Sequence, residues 1–328
     1  MLLQVLLLGL GLVLIIKGGE LFVASAIRIA GLLRMPHVVI GSTLVSLATT
    51  VPEAVVSITA GARGESSLAV GNAIGSVICN LCLILGVTAT LKHVDAHPRL
   101  LRTPLVAMFL CGGLLFLMTF DLVLSRWQGV LLLALGVGYF AWDFLQHARN
   151  RNRSDVAEAR AIEQNVVRRF AWFDTRWGTA VQFGLGAGLV VIGSRWLVDA
   201  AVFIAGGLGV PPIIVGLTVV AIGTSLPELT TAITSSRRSV SDLALGNVLG
   251  ANIANLTFIV GCAAALQDVH MSRLTQLFNF PAMLALMGLL LAMMFTGNRI
   301  SRREGVILLA AYGVYLAALV GFSLNGHT

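Results

Sequence analysis

Charge is scarce in this chain. Asp, Glu, Lys and Arg make up 11% of its 328 residues, against roughly 25% in soluble domains. With 57% hydrophobic residues and a mean hydropathy of +0.91, too little polar surface is available to cover a water-soluble globule. That shortage excludes a soluble enzyme, a nucleic-acid binder and a disordered scaffold as readings of the whole chain. Cysteine is equally sparse: Cys79, Cys82, Cys111 and Cys262 all lie inside apolar runs. The spacing of Cys79 and Cys82 matches a redox motif but lacks the strand–helix context of one, so all four read as packing residues. The six histidines fall at gaps and ends, which removes the imidazole sets that transition metals prefer. No nucleophile–base pair, phosphate loop or sustained basic face is visible, so the reading includes no enzyme activity, no cofactor and no nucleic-acid partner. The first apolar stretch has no charged segment before it and continues past residue 30; it reads as a membrane span, not a signal peptide.

Long apolar runs are what the chain has in abundance. A helix needs about 20 such residues to cross a bilayer. Ten candidates follow in order, at about 3–33, 36–62, 67–91, 102–120, 126–147, 177–208, 211–236, 242–266, 277–297 and 304–324. Seventeen of the 22 basic residues fall in odd-numbered gaps, Arg28 and Arg34 among them, and three fall in even-numbered gaps. The positive-inside bias therefore puts the odd gaps in the cytoplasm and both termini outside. The one long polar gap, 148–176, is read as a solvated cytoplasmic loop that is too short for a folded sensing module.

The chain also repeats itself. Shifted by 175 positions, residues 36–86 match 211–261 without a gap, with 21 identities in 51 positions. Five spans per half is an odd number, so the second half enters the membrane from the opposite side. The expected fold is an all-α integral membrane protein of ten helices, built as two inverted five-helix repeats (1–147 and 177–328) around the loop 148–176, with broken helices at an ion site. Inverted repeats are typical of secondary transporters, whose site lies near mid-membrane.

Each repeat carries a Pro-Glu pair inside an apolar span: Pro52-Glu53 in SLATTVPE and Pro227-Glu228 in AIGTSLPE. A carboxylate costs several kcal/mol at the bilayer centre, so two at equivalent positions mark a site. Proline clashes with the carbonyl four residues back, so each helix is expected to break near Ala48 and Gly223. Backbone carbonyls from Ser46 to Thr49 and from Ala221 to Thr224 are then expected to face a cavity, joined by the hydroxyls of Thr49, Thr50, Thr224 and Ser225. Oxygen donors of this kind suit hard cations such as Ca²⁺ and Na⁺. A second element follows in each half, GNAIGSVICN (71–80) and GNVLGANIAN (246–255). Asn72, Ser76 and Asn80 share one helix face, as do Asn247, Ala251 and Asn255. Asn72 and Asn247 fit ion contact and plain interhelical bonding equally well, whereas Asn80 and Asn255 are favoured as ligands or close supports. Gly71 with Gly75, and Gly246 with Gly250, are small-residue pairs that permit close helix approach. Lys17 with Glu20 and Arg195 with Asp199 are spaced to pair on their own helices and are left out of the site.

These paired motifs, each followed by GN-x-x-G-x-x-x-x-N, resemble the two alpha-repeats of the calcium/cation antiporter family, and most closely its prokaryotic sodium/calcium exchangers. The resemblance implies that Glu53 and Glu228 bind Ca²⁺ with carbonyls at Thr49 and Thr224. It further implies Na⁺ sites built from Glu53, Ser76 and Glu228, the carbonyls of Ser46 and Ala221, and the hydroxyls of Thr50 and Ser225, with Asn80 and Asn255 completing a middle site. The chain departs from the pattern at Ala251 and Asn255, where the family has Ser and Asp, and at Ala48 and Thr50, where Gly and Ser are usual. The implied activity is Ca²⁺/Na⁺ antiport by alternating access in a prokaryotic inner membrane. A Ca²⁺/H⁺ antiporter with the glutamates as proton carriers is the alternative, and a cation channel is the reading from a different class.

Overall fold

The computed structural model describes residues 2–62, 66–95, 98–149, 175–207, 221–238, 240–297 and 299–324. The chain is an all-helical membrane protein. Among the described residues, eight helices are long and apolar enough to cross a bilayer: Leu3–Leu33, Ala69–Leu91, Leu101–Met118, Arg126–Ala148, Arg176–Leu197, Ser241–Leu266, Thr275–Met294 and Arg302–Phe322. The other two expected spans, 36–62 and 211–236, are the ones that carry the Pro-Glu pairs. The first consists of an apolar helix His37–Thr49 followed by Val51–Ala62. The second includes Ala221–Thr224 and Leu226–Arg237, and its start, 211–220, lies outside the described residues. Most of the loop 148–176, from 150 to 174, is outside them too. Arg28, which the count of basic residues places in the first gap, is instead a buried residue inside the helix Leu2–Leu33.

Burial separates the spans into two kinds. In Ala69–Leu91 and Ser241–Leu266, 72% and 83% of the most apolar window is enclosed by protein, against 22–33% in the other six. Leu110, Leu117 and Val314 stand exposed on the outer helices, as lipid-facing side chains do. The asparagine-bearing helices are therefore the most enclosed.

The chain packs as two compact units, and each draws on both halves of the repeat. Met1–Pro52 and Phe144–Asn247 form the first. Its main seam joins Leu2–Leu33 to Arg176–Gly207, two helices that the shift of 175 superposes. A Cβ on Gly11 would lie 2.7 Å from the Gly193 carbonyl, and one on Gly18 would lie 3.0 Å from the Gly186 carbonyl. Phe22 packs against Phe183 with ring centroids 4.6 Å apart. As one partner's number rises the other's falls, so these equivalent helices run antiparallel. The inversion deduced from span parity is thus visible as a packing fact. Gly11 is the repeat mate of Gly186, and Gly18 of Gly193, so the seam is self-complementary, with glycine wherever the backbones touch. In the same unit Gly41 packs against the Leu243 carbonyl and Gly246 against the Val38 carbonyl. Of the expected small-residue pairs, Gly246 sits at such a crossing. Gly71 and Gly75 have nothing within 4 Å of a Cβ among the described residues. The repeat mate of Val38 is Ile213, which lies outside those residues.

The second unit comprises Glu53–Asp143 and Val248–Thr328. Here the exchange between halves recurs: Gly86 meets Gly305 and Leu309, while its mate Gly261 meets Gly129 and Leu133. Two short antiparallel strand pairs follow the same rule, Val94–Asp95 with Arg299–Ile300 and Val123–Leu124 with Val269–His270. The first pair joins two odd-numbered gaps and the second joins two even-numbered ones. This is the parity that an alternating path through a membrane requires. Nothing in the local sequence marked these strands, because each is two residues long and exists only through its distant partner.

Candidate ion-binding site

The Pro-Glu pairs interrupt their helices in the same way. Thr50 takes φ −79° and ψ 5°, and Ser225, its repeat mate, takes φ −89° and ψ 8°. Both sit in the bridge region, which ends one helical segment and starts another. The breaks, expected near Ala48 and Gly223, thus lie two residues on, at Thr50 and Ser225. Proline costs nothing in the first turn of a helix, where its missing N–H has no partner to lose. The break accordingly settles ahead of it, and Pro52 and Pro227 sit in the first turns of Val51–Ala62 and Leu226–Arg237. Each glutamate follows directly in that first turn, where the helix dipole favours a negative charge.

In the first unit Glu228 is fully buried. The Thr49 hydroxyl lies beside it. Thr49 Oγ1 also reaches Asn247 Oδ1 at 3.1 Å. The turn before the break stays closed: the Ser46 carbonyl accepts the Thr50 N–H at 3.0 Å, Thr50 Oγ1 at 2.8 Å and Thr49 Oγ1 at 3.2 Å. Its oxygen thus takes part in the hydrogen bonding of its own turn. Ser46 Oγ donates back to Ser42 O at 2.9 Å. A hydroxyl that spends its hydrogen on the backbone keeps its lone pairs for a cation, so Ser46 and Thr50 remain oxygen donors. Thr224 and Ser225 are buried beside the second break, with Ala221 opening the same short helix.

In the second unit Glu53 is 1% exposed. Asn72 clamps the half-helix that carries it, donating through Nδ2 to Ser57 Oγ at 3.0 Å and to the Glu53 carbonyl at 3.4 Å, while Ser57 Oγ donates to the Ala69 carbonyl at 3.1 Å. Asn72 and Asn247 therefore both make interhelical bonds. Deeper along these helices, Ser76, Asn80, Ala251 and Asn255 are all buried. Asn80 Nδ2 donates to Asn252 Oδ1 at 3.0 Å, and its own Oδ1 has no partner among the described residues. The Asn255 amide makes no hydrogen bond among them with either end. Asn80 and Asn255 also open equivalent π-helical turns, Asn80–Ile84 and Asn255–Ile259. Such insertions are frequent at functional sites and free backbone groups from the regular ladder. Sequence reasoning missed Asn252, because its repeat mate is Val77 and it lies off the shared face of Asn247 and Asn255. It missed the π turns too, since they carry no compositional mark. Among the described residues no three His, Cys, Asp or Glu side chains cluster. Each unit thus holds a buried glutamate with neutral oxygens near it, donor types suited to Na⁺ or Ca²⁺.

Comparison with known proteins agrees with this chemistry. The family model described as sodium/calcium exchanger protein matches residues 3–144 and 178–321. The chain is 32% identical to the sodium/calcium exchanger MaX1 of Methanosarcina acetivorans, covering 96% of this chain and 97% of that one. It is 33% identical to the inner membrane protein YrbG of Escherichia coli, with 98% of each covered. Among solved structures it resembles the sodium-calcium exchanger NCX_Mj soaked with Na⁺ and Ca²⁺, with a TM-score of 0.81 at 28% identity over 97% of this chain and 98% of that one.

Proposed function

The chain belongs to the sodium/calcium exchanger protein family, and from that premise we propose that it exchanges Ca²⁺ for Na⁺ across a prokaryotic inner membrane by alternating access. The observation that carries this reading is the pair Glu53 and Glu228. They are repeat mates, 1% and 0% exposed, and each stands in the first turn of a half-helix behind a break at a hydroxyl residue. Two carboxylates balance one Ca²⁺ or two Na⁺, so the ions compete for the same charges and only one load crosses at a time. Thr49, Thr50, Thr224, Ser225 and Ser76 supply neutral oxygens. So do Asn80 and Asn255, together with the carbonyls at Ser46 and Ala221. Such donors replace the water that a cation sheds on entry. The antiparallel seam of equivalent helices supplies the two-fold-related scaffold on which transporters rock. The distribution of basic residues supports an orientation with both termini outside and the loop 148–176 in the cytoplasm.

The test is ⁴⁵Ca²⁺ uptake into proteoliposomes. A Na⁺ gradient alone should drive uptake and a pH gradient alone should not. Uptake driven only by the pH gradient would replace this reading with Ca²⁺/H⁺ exchange, and flux without any counter-gradient would point to a channel.

A further inference from the structure

The exchange reading leaves open why asparagine, an ambivalent side chain, would serve a cation site. An amide presents an acceptor oxygen at one end and a donor nitrogen at the other, and only the oxygen helps a cation. We propose that Met108 and Asn252 form an orienting relay that turns the carbonyl oxygen of Asn80 toward the transported ion, with Asn252 acting as a positioning residue. The inference rests on the reading of Asn80 as part of the exchange site.

The polarity starts at a group that cannot donate. Asn252 Nδ2 lies 3.5 Å from Met108 Sδ, and a thioether sulfur is a weak acceptor with no hydrogen of its own. Facing that sulfur with nitrogen leaves the Asn252 oxygen on the opposite side, where it accepts Asn80 Nδ2 at 3.0 Å. The Asn80 nitrogen is thereby committed. Its oxygen, buried and without a partner among the described residues, is left for an ion. Reversing the chain would set Asn252 Oδ1 against the sulfur, acceptor against acceptor. Asn252 would then offer Asn80 a donor, and Asn80 would turn its own N–H groups toward the cation. All three residues are buried in the second unit, so water is not at hand to satisfy the reversed arrangement. The device has no repeat-related counterpart, because the mate of Asn252 is Val77 and the amide of Asn255 bonds at neither end among the described residues.

Na⁺-driven Ca²⁺ uptake by the full chain in proteoliposomes tests the relay through the half-saturating Ca²⁺ concentration and the maximal rate. Asn252→Leu frees the Asn80 amide and should raise half-saturation about tenfold, with the maximal rate within about a factor of two. Asn252→Asp still accepts from Asn80 and so keeps the Asn80 oxygen turned toward the ion; its half-saturation should rise less than that of Asn252→Leu. Met108→Leu conserves volume and apolarity, so it folds even if Asn252→Leu does not. Removing its weak acceptor should raise half-saturation by about two- to fivefold. An unchanged value in Asn252→Leu or Met108→Leu overturns the relay, as does an equal rise in Asn252→Leu and Asn252→Asp. Glu53→Gln run alongside separates the two claims: retained uptake there defeats the exchange reading itself, whereas lost uptake there with an unaffected Asn252→Leu defeats the relay alone.

Discussion

The two asparagine helices, Ala69–Leu91 and Ser241–Leu266, are copies that have drifted apart. Both carry Gly-Asn, both bury a second asparagine eight residues after the first, and both open a π turn there. Between those points the first has Ser76-Val77 and the second has Ala251-Asn252. One copy thus keeps a hydroxyl at the shared face, while the other gives it up and carries an amide one position along. The glutamates and the residues just before them, by contrast, hold the same backbone conformation in both halves. Binding charge is duplicated, and the neutral donors that tune which ion is held are not.

The sameness of the glutamates can be broken first, and it carries the largest effect. Glu53→Gln and Glu228→Gln each leave one negative charge to hold a divalent ion stripped of its water. A buried charge left unbalanced costs about 3–5 kcal/mol, so each variant should lose more than 100-fold in Ca²⁺ counterflow. Equal losses would show that the halves share the ion. Wild-type counterflow in either variant would remove that glutamate from the site.

The glycine contacts sharpen the comparison at the level of stability. A methyl group on Gly246 would run into the Val38 carbonyl, which is backbone and cannot step aside cheaply. Gly246→Ala should therefore destabilise by about 1–3 kcal/mol, the usual cost of overpacking. Gly71→Ala, which meets nothing within 4 Å among the described residues, should cost less. Thermal unfolding of both variants in detergent checks this, and equal shifts would mean that Gly71 is as crowded as its mate.

Much of this organisation is legible in the residues alone, for identifiable reasons. Spans, repeat and glutamates show because each is a local or periodic signal: an apolar run, a fixed shift of 175, a charge where charge is costly. The break appears two residues downstream of the position deduced from proline's clash, since that rule applies inside a helix and Pro52 stands in a first turn. Asn252 does not show, because its role depends on Asn80 and Met108, which lie 172 and 144 positions away along the chain. The strand pairs and the seam of Gly11 with Gly193 are hidden for the same reason. What a residue does locally is readable, and what it does through a distant partner is not.

Restoring the missing hydroxyl should sharpen ion selectivity. Ser76 offers an oxygen, and Ala251, equally buried, offers none. If Ca²⁺ is held chiefly by carboxylates and carbonyls, the absent ligand weakens Na⁺ more than Ca²⁺. Ala251→Ser should then tighten Na⁺ by about 1–3 kcal/mol, the worth of one bond to a charged group. The Na⁺ concentration that half-inhibits Ca²⁺ uptake reads this out, and an unchanged value would show that position 251 does not face the ion.

The smallest expected effect is a change in pH dependence. Asn255 is neutral, buried and bonded at neither end among the described residues, so Asn255→Asp adds a carboxylate without first breaking a described hydrogen bond. The added charge attracts cations only while it is ionised. As the pH falls a proton occupies it, and the negative charge it contributes disappears. Wild type already has Glu53 and Glu228 to protonate, so its Ca²⁺ binding should weaken on acidification; the variant has one more such group and should weaken more steeply between pH 8 and pH 5. At the alkaline end it should bind Ca²⁺ at least as tightly as wild type, because an ionised third carboxylate adds attraction. Equilibrium Ca²⁺ binding across that range decides the matter. Parallel profiles for variant and wild type would mean that position 255 lies too far from the ion for its charge to count, and the neutral asparagine there would then be a packing residue like its mate's bonded nitrogen.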